Sequence, residues 1–464
     1  MSIDVNHRRR NLLAGLGMVG MLGSGGLSRA ALNRCLATPA VWKNWSGTQS
    51  CMPAERLSPA SEDELASLLK NARGTVRPVG SGHSFSAVVP TDDTLLSVSR
   101  LAGLLRHDAQ AKTATFGGGT LLSKTGQPLR NVGLGMQNMP DIDYQTLGGL
   151  YATSTHGTGV NHPSMSAQLT AMRLITPAGD ALDISAATPE LFNAARVSLG
   201  ALGVASEFTV QCQSSYRLKE SMQIRRTEEI LEDIESLITG NDHWEMQALT
   251  HSDYALAIAL NETDEPANSS GSEAEEGGNE YLAMIEALHK YGANFPALRR
   301  KLFNLIAGQV AFNDRVGDSH AIYANVRNVR FNEMEYQVPR EAGPDCLREI
   351  LSVIHGKNLA TWFPIEYRYV KADDIWLSQF QGRDSASISV HQYYEMDYHE
   401  LFAIIEPIFW KYGGRPHWGK LHTLNGRQLK SLYPHWQDFQ QVREALDPTG
   451  KMLNPHLRSL FTVA

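Results

Sequence analysis

A glycine turn that follows a short predicted strand constrains the fold of this chain most. Residues 77–86 read Arg-Pro-Val-Gly-Ser-Gly-His-Ser-Phe-Ser, and Thr75–Val79 predicts a strand that leads into the glycines. Backbone N–H groups at such a turn form a nest that can hold an anionic group. Ala87–Val98 is strand-like and no Gly-Lys-Ser/Thr occurs here, so the turn fits neither a Rossmann fingerprint nor a P-loop. Taken alone, the turn is a weak signal of function.

Composition excludes several classes of protein. Of the 464 residues, 42% are hydrophobic and 20% are charged, so the chain can bury a sizeable core and is not globally disordered. Its net charge of −7 disfavours a general nucleic-acid binder, which needs a basic face. The four cysteines, at positions 35, 51, 212 and 346, form no CxxC pair and therefore do not indicate a zinc site. No apolar run approaches the roughly 20 residues of an integral membrane span.

The first thirty residues have the pattern of a targeting segment. Residues 7–13 read His-Arg-Arg-Arg-Asn-Leu-Leu, and a short, glycine-rich, mildly apolar stretch follows and ends in small residues. Paired arginines before two leucines resemble a twin-arginine signal, which implies recognition by the twin-arginine export machinery and a periplasmic or extracellular location. The alternative is a frayed N-terminal helix. Residues 1–30 are left out of the fold prediction.

Residues 40 to about 215 alternate short strands and helices, which is typical of an α+β domain. Ser61–Arg73 predicts a helix, because Ser61 and Glu64 form a capping-box pattern and the leucines after them form one apolar stripe. A turn signal at 177–180 predicts a hairpin between two strands. The predicted strands are Thr75–Val79, Thr94–Val98, Thr113–Gly117, Ala171–Thr176, Ala181–Ile184 and Gly203–Cys212, and Pro189–Arg196 predicts a second helix.

From about residue 216 the pattern changes to longer amphipathic segments mixed with alternating strands. The helical segments are predicted at Thr227–Ile238, Tyr281–Tyr291 and Pro296–Gly308. Residues 261–280 carry seven acidic residues and no Lys or Arg, which predicts a solvated loop, with an acidic partner-binding loop as the alternative.

A second glycine-rich element strengthens the first. Residues 144–159 read Tyr-Gln-Thr-Leu-Gly-Gly-Leu-Tyr-Ala-Thr-Ser-Thr-His-Gly-Thr-Gly. Glycines and small hydroxyl residues let backbone and side-chain donors crowd a bulky planar or anionic ligand. A plain surface loop would carry more charge than this segment does.

Four ordered motifs together resemble the vanillyl-alcohol-oxidase-type flavoproteins, within them the sugar-1,4-lactone (D-arabinono-1,4-lactone) oxidase and alditol oxidase branch. The motifs are the two glycine-rich elements, Glu366-Tyr367-Arg368, and the run 415–420, which reads Arg-Pro-His-Trp-Gly-Lys. The resemblance covers nearly all of the chain after residue 40. It implies an α+β two-domain flavoprotein, with a PCMH-type FAD-binding domain at 40–215, a mixed-sheet substrate (cap) domain at 216–415, and a segment at 416–464 that returns to the first domain.

The resemblance also implies which residues bind FAD. His83 corresponds to the position of a covalent histidyl–flavin bond, with a loop histidine bonded to backbone as the alternative. Asp141 stands where the family usually has Ser. The FAD-binding residues that the resemblance implies are Gly80, Ser81, Gly82, His83, Ser84, Pro140, Asp141, Thr146, Gly149, Thr153, Ser154, Thr155, His156, Gly200, Gly203 and Val204.

Four residues are the candidates for catalysis. Glu366 and Arg368, two positions apart, share one face if they lie in a strand, where a carboxylate and a guanidinium can bind vicinal hydroxyls and a carbonyl, although a surface salt bridge is the alternative. Alternation along 387–394 places His391 as a candidate proton acceptor for a substrate hydroxyl, with an orienting or core histidine as the alternative. The resemblance places Lys420 at the N1–C2 edge of the flavin, where a cation stabilises the charge that hydride transfer creates.

The resemblance implies an enzyme that transfers hydride from a CH–OH group of a small polyol or sugar 1,4-lactone to FAD. Pro140 aligns with a gatekeeping position where Gly or Pro accompanies reaction with oxygen, which favours an oxidase that produces H₂O₂. Two alternatives stay open: a dehydrogenase that passes electrons to a cytochrome or quinone, and a non-catalytic flavin-binding protein.

Overall fold

The structure is a computed structural model that describes residues 40–269, 287, 290, 294–307, 312–324 and 329–462. The predicted export signal at 1–30 lies outside the described residues, as does most of the predicted helix Tyr281–Tyr291. Among the described residues, no helix is both long and apolar enough to cross a bilayer.

The strands of the described residues fall into four sheets. In chain order they are β1 Trp42–Lys43, β2 Ser50–Cys51, β3 Glu55–Leu57, β4 Val76–Pro78, β5 Thr94–Leu96, β6 Leu104–Asp108, β7 Thr113–Gly117, β8 Leu134–Met136, β9 Leu169–Ile175, β10 Ala181–Ser185, β11 Val204–Ser214, β12 Arg217–Arg226, β13 His243–Ala248, β14 Tyr254–Thr263, β15 Arg315–Asp318, β16 Phe331–Pro339, β17 Ile365–Val370, β18 Ser385–Tyr393 and β19 Arg415–Pro416.

The helices connect and cover these sheets. Those within the described residues are α1 Glu62–Asn71, α2 Gly126–Asn131, α3 Leu147–Ala152, α4 Pro189–Ala195, α5 Thr227–Glu232, α6 Ile234–Thr239, α7 Pro296–Ala307, α8 Ser319–Tyr323, α9 Gly343–Lys357, α10 His399–Lys411, α11 Gly426–Leu432, α12 Trp436–Leu446 and α13 Pro455–Phe461, with short 3₁₀ turns at Leu122–Lys124, Met165–Gln168 and Arg340–Ala342.

Two larger sheets and the hairpin of β1 and β2 form the N-terminal part. β3, β5 and β4 pair in parallel in that order, while β10, β9, β11, β7 and β6 form an antiparallel sheet to which β8 adds through β11. The mixture of parallel and antiparallel sheets with interleaved helices confirms the predicted α+β class.

An eight-stranded sheet dominates the rest of the chain, and all of its strand pairs are antiparallel, whereas a mixed sheet was predicted. Its order is β15, β12, β14, β13, β17, β18, β16 and β19. Successive side chains of a strand point to opposite faces, and here one face packs on helices through residues such as Tyr367, Ile388 and Tyr336. The opposite face carries polar side chains of β13, β16, β17 and β18, and these face the cavity described below.

Most predicted elements are confirmed, with boundary shifts of a few residues. The helix α1 begins after Ser61, whose side chain accepts a hydrogen bond from the Glu64 backbone N–H. Leu65 and Leu69 on its apolar stripe are buried. The predicted hairpin is the antiparallel pair of β9 and β10, in which Ile175 lies opposite Ala181.

Three predictions of local structure were wrong in part. Only Thr94–Leu96 of the strand-like stretch 87–98 is a strand, because its partners β3 and β4 are only three residues long. Thr227–Ile238 is two short helices joined at Asp233. Residues 261–263 of the predicted acidic loop complete β14 and pair with β12; 270–280 lie outside the described residues.

The predicted boundary at 215–216 falls between β11 and β12, which belong to different sheets. The C-terminal segment contacts the N-terminal strands: the Val76 backbone N–H donates to the Lys451 carbonyl over 2.9 Å, and the Asn454 side-chain amide donates to the carbonyls of Ala87 and Pro90. The assignment of a separate function to each of the three ranges stays a prediction.

Candidate active site

A cavity of about 500 Å³ lies between the glycine-rich elements and the polar face of the eight-stranded sheet. Its size is in the range of cofactor and ligand pockets. It brings together residues that are more than 300 positions apart in the chain. The predicted site residues that line it are Gly80, Ser81, Gly82, His83, Ser84, Pro140, Asp141, Thr146, Gly149, Thr153, Thr155, His156, Gly200, Gly203, Val204, Glu366, Arg368, His391 and Lys420.

Ser154 is the predicted cofactor residue that is not among the cavity-lining residues. It is fully buried with a φ of 56°, in the left-handed region, and its Oγ lies 3.2 Å from Ser378 Oγ. Its carbonyl accepts a hydrogen bond from the Gln379 side chain over 2.9 Å. Ser154 therefore connects the second glycine-rich element to the loop after β17, a contact that the sequence pattern did not indicate.

The first glycine turn is held by backbone hydrogen bonds from two distant segments. The Trp45 N–H donates to the Gly82 carbonyl over 2.8 Å, and the Phe85 N–H donates to the Gly419 carbonyl over 2.7 Å. Gly82 adopts a φ of 73°, which strongly favours glycine. These bonds fix the turn next to Lys420, whose Nζ lies 5.1 Å from the centre of the Phe85 ring.

The two glycine-rich elements touch each other. A Cβ on Gly80 would lie 2.0 Å from Thr146 Oγ1, so a larger residue at position 80 would force the elements apart. A Cβ on Gly157 would lie 2.4 Å from the carbonyl oxygen of Met139. The absence of a side chain at Gly157 therefore lets the segment before Pro140 lie close to the second glycine-rich element. The glycines therefore permit packing between backbones that puts both elements on one cavity wall.

Arg77 was missed by the sequence analysis as a site residue. Its buried guanidinium donates to the carbonyls of Val88, Leu199, Gly200 and Met452. Burial lowers the pKa of Arg77 to about 9, and Asp447 opposes that fall. Arg77 thus holds the chain near residue 200 against the glycine turn. In the sequence, the signal for this role is the position of Arg77 at the start of the first glycine-rich motif.

His83 is half-buried at the cavity wall. Its ring stacks on Trp45, with 5.1 Å between ring centres and 21° between planes. Burial lowers its pKa to about 4, and the positive charge of Lys420 adds to this effect while Glu333 opposes it. The imidazole is therefore neutral at pH 7 and carries a lone pair, as a nucleophile requires.

Glu366 and Arg368 lie on one face of β17, as predicted. Arg368 Nη2 lies 3.3 Å from Glu366 Oε2. Glu245 was not predicted as a site residue; it lies opposite Arg368 in the register of β13 and β17, with 2.5 Å between Arg368 Nε and Glu245 Oε2. Burial raises the pKa of Glu245, and Glu366 and Asp141 add to this effect while Arg368 opposes it. The guanidinium is thus surrounded by carboxylates.

Lys420 and His391 share a carboxylate that was also missed. Glu333 of β16 is buried, forms an ion pair with Lys420 Nζ, and places Oε1 3.6 Å from His391 Nε2. Burial alone would raise the pKa of Glu333, but Lys420 and His391 outweigh it and bring the pKa to about 2. Burial acts to lower the pKa of His391, and Glu333 outweighs that effect and raises it.

A second buried carboxylate, Glu335, binds His156. Its Oε1 accepts hydrogen bonds from His156 Nε2 over 2.6 Å, from Gln337 Nε2 over 2.7 Å and from Ser387 Oγ over 2.7 Å. His156, Glu335 and His417 bring their potential ligand atoms within 4.8 Å of one another, as a metal site would. Because Oε1 of Glu335 already accepts three hydrogen bonds, the group is better described as a hydrogen-bonded network than as a metal centre.

The missed carboxylates had a signal in the sequence. In β16, Glu333, Glu335 and Gln337 alternate with apolar residues, and in β13 Glu245 and Gln247 do the same. Strict alternation predicts a strand with one polar face. Such a face can be solvent-exposed or can line a site, and only the sheet order decides between these.

Residues 208–460 match a family profile described as D-arabinono-1,4-lactone oxidase, and residues 53–185 match one described as FAD binding domain. The chain belongs to the D-arabinono-1,4-lactone oxidase family. The resemblance stated from the sequence is thereby confirmed.

Curated relatives cover nearly the whole chain. An L-gulono-1,4-lactone dehydrogenase from Mycobacterium tuberculosis is 37% identical over 91% of this chain and 99% of its own length. An L-gulonolactone oxidase from Bos taurus is 30% identical over 90% of this chain and 98% of its own. An alditol oxidase from a Streptomyces species is 24% identical over the same shares.

A solved structure supports the fold. A cholesterol oxidase from Brevibacterium sterolicum superposes with a TM-score of 0.74 at 15% identity, over 91% of this chain and 96% of that one. The architecture is therefore that of an α+β two-domain flavoprotein with a PCMH-type FAD-binding domain. As a member of this family, the protein is an FAD-dependent oxidoreductase that acts on CH–OH donors.

The residues of the cavity fit FAD. A Cβ on Gly149 would meet only Thr146 Oγ1, at 3.5 Å, so this glycine leaves the cavity wall open where a side chain would enter it. The glycine turn offers N–H donors to a pyrophosphate. Lys420 supplies a cation beside the turn, 5.1 Å from the centre of the Phe85 ring. Backbone donors for a pyrophosphate and a cation that can stabilise negative charge on a flavin ring in one cavity fit FAD.

Proposed function

We propose that this protein oxidises a CH–OH group of a neutral sugar 1,4-lactone or a small polyol, with molecular oxygen as the electron acceptor and H₂O₂ as the second product. Bound FAD supplies the acceptor for the hydride. One observation carries the proposal: Glu366, Arg368, His391 and Lys420 line the same cavity as the glycine turn. A protein that only binds flavin has no need of such a polar group.

Each of these residues has a defined task in the proposal. Arg368 and Glu366 bind substrate hydroxyl and carbonyl oxygens, since a guanidinium donates and a carboxylate accepts. His391 accepts the hydroxyl proton at Nε2, because its Nδ1 lies 3.2 Å from the Pro364 carbonyl and donates to it. Lys420 holds a positive charge beside the cofactor, where negative charge develops during reduction.

We infer that His83 also forms a covalent bond to FAD. The lowered pKa of about 4 keeps the imidazole unprotonated. The bond joins a ring nitrogen to the 8-methyl carbon; one proton leaves the methyl group, one leaves the imidazole, and two electrons pass to oxygen. The His83 ring stacks on Trp45, and both residues line the cavity.

Oxygen as the acceptor is supported by Pro140, which is buried on the cavity wall. The second candidate is transfer to a protein or quinone acceptor. It is favoured by the relative of 37% identity, whose name is L-gulono-1,4-lactone dehydrogenase. The two candidates differ in peroxide yield, since an oxidase forms one H₂O₂ per substrate under air.

The test is a panel of aldonolactones and alditols added to the purified, flavin-loaded protein without air. We expect at least one of them to bleach the flavin absorption within seconds, and Arg368→Met to lose bleaching by the same compound. Readmitted air should restore the colour with one H₂O₂ per turnover. If colour returns only with an added dye or cytochrome, the dehydrogenase is the correct candidate. If no lactone or polyol bleaches the flavin, the proposed function is wrong.

We also propose export by the twin-arginine route, through residues 1–30. These lie outside the described residues, so the proposal depends on the Arg8-Arg9-Arg10 run alone. A fusion of residues 1–40 to a reporter enzyme should be exported, and replacement of the three arginines by lysine should retain it in the cytoplasm. Export that survives this replacement would contradict the proposal.

A further inference from the structure

The reactive end of the cavity carries more negative than positive charge. The reactive end is the part lined by Asp141 and by the polar face of β13, β16 and β17, and it carries five carboxylates against two cations, Arg368 and Lys420. The other charged lining residues are bound elsewhere: Arg315 pairs with Glu220, Arg196 pairs with Asp374, and Arg77 binds backbone carbonyls. The carboxylates are Asp141, Glu245, Glu333, Glu335 and Glu366. A cavity with low-dielectric walls strengthens the effect of this difference on a charged ligand.

The imidazoles do not reverse the surplus. His83 and His417 have pKa values lowered to about 4 by burial and are neutral at pH 7. His391 and His156 face Glu333 and Glu335, at 3.6 Å and 2.6 Å, rather than Arg368. Glu333 forms an ion pair with Lys420, and Glu335 binds His156. The excess of negative charge therefore lies mainly around Arg368.

Arg368 is the group that would otherwise bind an acid. A bare guanidinium binds carboxylates in a bidentate way. Here Glu245 contacts Nε at 2.5 Å and Glu366 lies 3.3 Å from Nη2. The negative charges of Glu245, Glu366 and Asp141 raise the pKa of Arg368 well above its usual value, against the effect of burial. Three carboxylates therefore act on one guanidinium.

We propose that this site selects uncharged polyhydroxylated molecules and rejects those with a carboxylate, and that Glu245 is the specificity-determining residue. The inference rests on the proposed function and refines its substrate class. Glu245 accepts a hydrogen bond from a substrate hydroxyl and repels a substrate carboxylate. A ring-closed lactone thus binds, whereas its hydrolysed open-chain acid does not.

The test compares two open-chain molecules of the same carbon skeleton and stereochemistry, D-glucitol and L-gulonate. They differ at one end, where the first has CH₂OH and the second has COO⁻. Binding is measured by calorimetry on the holoenzyme after reduction with dithionite under nitrogen, so that no turnover occurs. The readout is the ratio of the two dissociation constants.

We expect wild type to bind L-gulonate at least about tenfold more weakly than D-glucitol. At protein dielectric constants, the repulsion between two negative unit charges a few ångströms apart exceeds the free energy of a tenfold change in binding. Glu245→Gln should reduce the ratio by about tenfold. It frees Arg368 for the ligand carboxylate. Gln247→Glu adds a carboxylate two residues away on the same cavity face and should raise the ratio.

Glu245→Asp is the matched control, since it keeps the charge and shortens the side chain, and it should keep most of the ratio. A wild-type ratio near one, or a ratio that neither Glu245→Gln nor Gln247→Glu changes in correctly folded protein, would overturn the inference. Flavin bleaching by neutral lactones is scored separately. Bleaching with an unchanged ratio refutes only the inference, and absence of bleaching with any lactone or polyol refutes the proposed function.

Discussion

The two ends of the cavity present different atoms to a ligand. At the end formed by Gly80–Ser84 and Thr146–Gly159, the main chain carries the function, and glycines keep side chains out of the way. At the other end, strands β13, β16, β17 and β18 present ionisable side chains in register. A cofactor of constant shape suits a backbone cradle. Selection among similar small molecules needs side chains whose charge and length can vary.

The difference extends to electrostatics. Buried charges at the sheet end are paired: Lys420 with Glu333, and Arg368 with Glu245. Pairing is required because an isolated buried charge is costly. At the glycine end the buried cation Arg77 binds only backbone carbonyls. Substitution should therefore change pH behaviour at the sheet end and cofactor retention at the glycine end.

The largest expected effect lies where the glycine end uses a side chain. His83→Ala should lower the fraction of protein with covalently bound flavin from essentially all to none, because alanine lacks the ring nitrogen that forms the proposed bond. The measurement is yellow absorbance in the pellet after acid precipitation. His107→Ala, on an exposed strand position, is the control and should keep the colour. Flavin that stays in the pellet of His83→Ala would remove this residue as the anchor.

Loss of the cation at the sheet end should be next in size. Lys420→Met should slow anaerobic flavin reduction by about 100-fold, the usual cost of removing one group that stabilises developing charge. Stopped-flow absorbance measures the rate. Lys430→Met, on exposed α11, should change nothing. Lys420→Met also leaves the buried Glu333 carboxylate without its cation, which can destabilise the protein. The double variant Lys420→Met, Glu333→Gln removes this unpaired charge and so separates an effect on stability from an effect on the rate. If flavin in the double variant is reduced at the wild-type rate, the proposed role of Lys420 is wrong.

The pH profile tests the sharing of Glu333. Since Glu333 stabilises protonated His391 and raises its pKa, the neutral base is available only above that raised value, and flavin reduction should rise with pH through it. Glu333→Gln removes the anion, lowers the pKa of His391, and should move the midpoint to lower pH by about one unit. Glu229→Gln, on the exposed side of α5, is the control. An unmoved midpoint would exclude His391 as the titrating base.

The smallest effect is expected at an exposed position of the glycine turn. Ser81→Ala keeps every backbone N–H, so flavin retention and the rate of reduction should stay within about twofold of wild type. Flavin content after dialysis measures retention. A loss above tenfold would mean that the Ser81 hydroxyl, and not the main chain, binds the cofactor, and the contrast between the two ends would no longer hold.

Much of the glycine end could be predicted from sequence, because local motifs determine it. Gly80-Ser81-Gly82 and the run 144–159 fix turn geometry within a few residues, and all but Ser154 of the predicted cofactor residues line the cavity. Glu366 and Arg368 were placed correctly on one face because the period of a strand is two.

Glu245, Glu333 and Glu335 could not be assigned in this way. Alternation along β13 and β16 gives each strand a polar face, but whether that face meets solvent or a ligand depends on which strands lie beside it. The order β13, β17, β18, β16 joins segments from residues 243 to 393 and pairs Glu245 with Arg368 and Glu333 with His391.

The sequence alone determined the fold class, the family and the glycine cradle, because short-range sterics and ordered motifs specify them. Only the tertiary structure decided the charge balance of the reactive end. Interactions between ionised groups depend on separations of a few ångströms, and long-range strand pairing sets those separations. The ion pair of Lys420 with Glu333, 87 positions apart in the chain, is the clearest case.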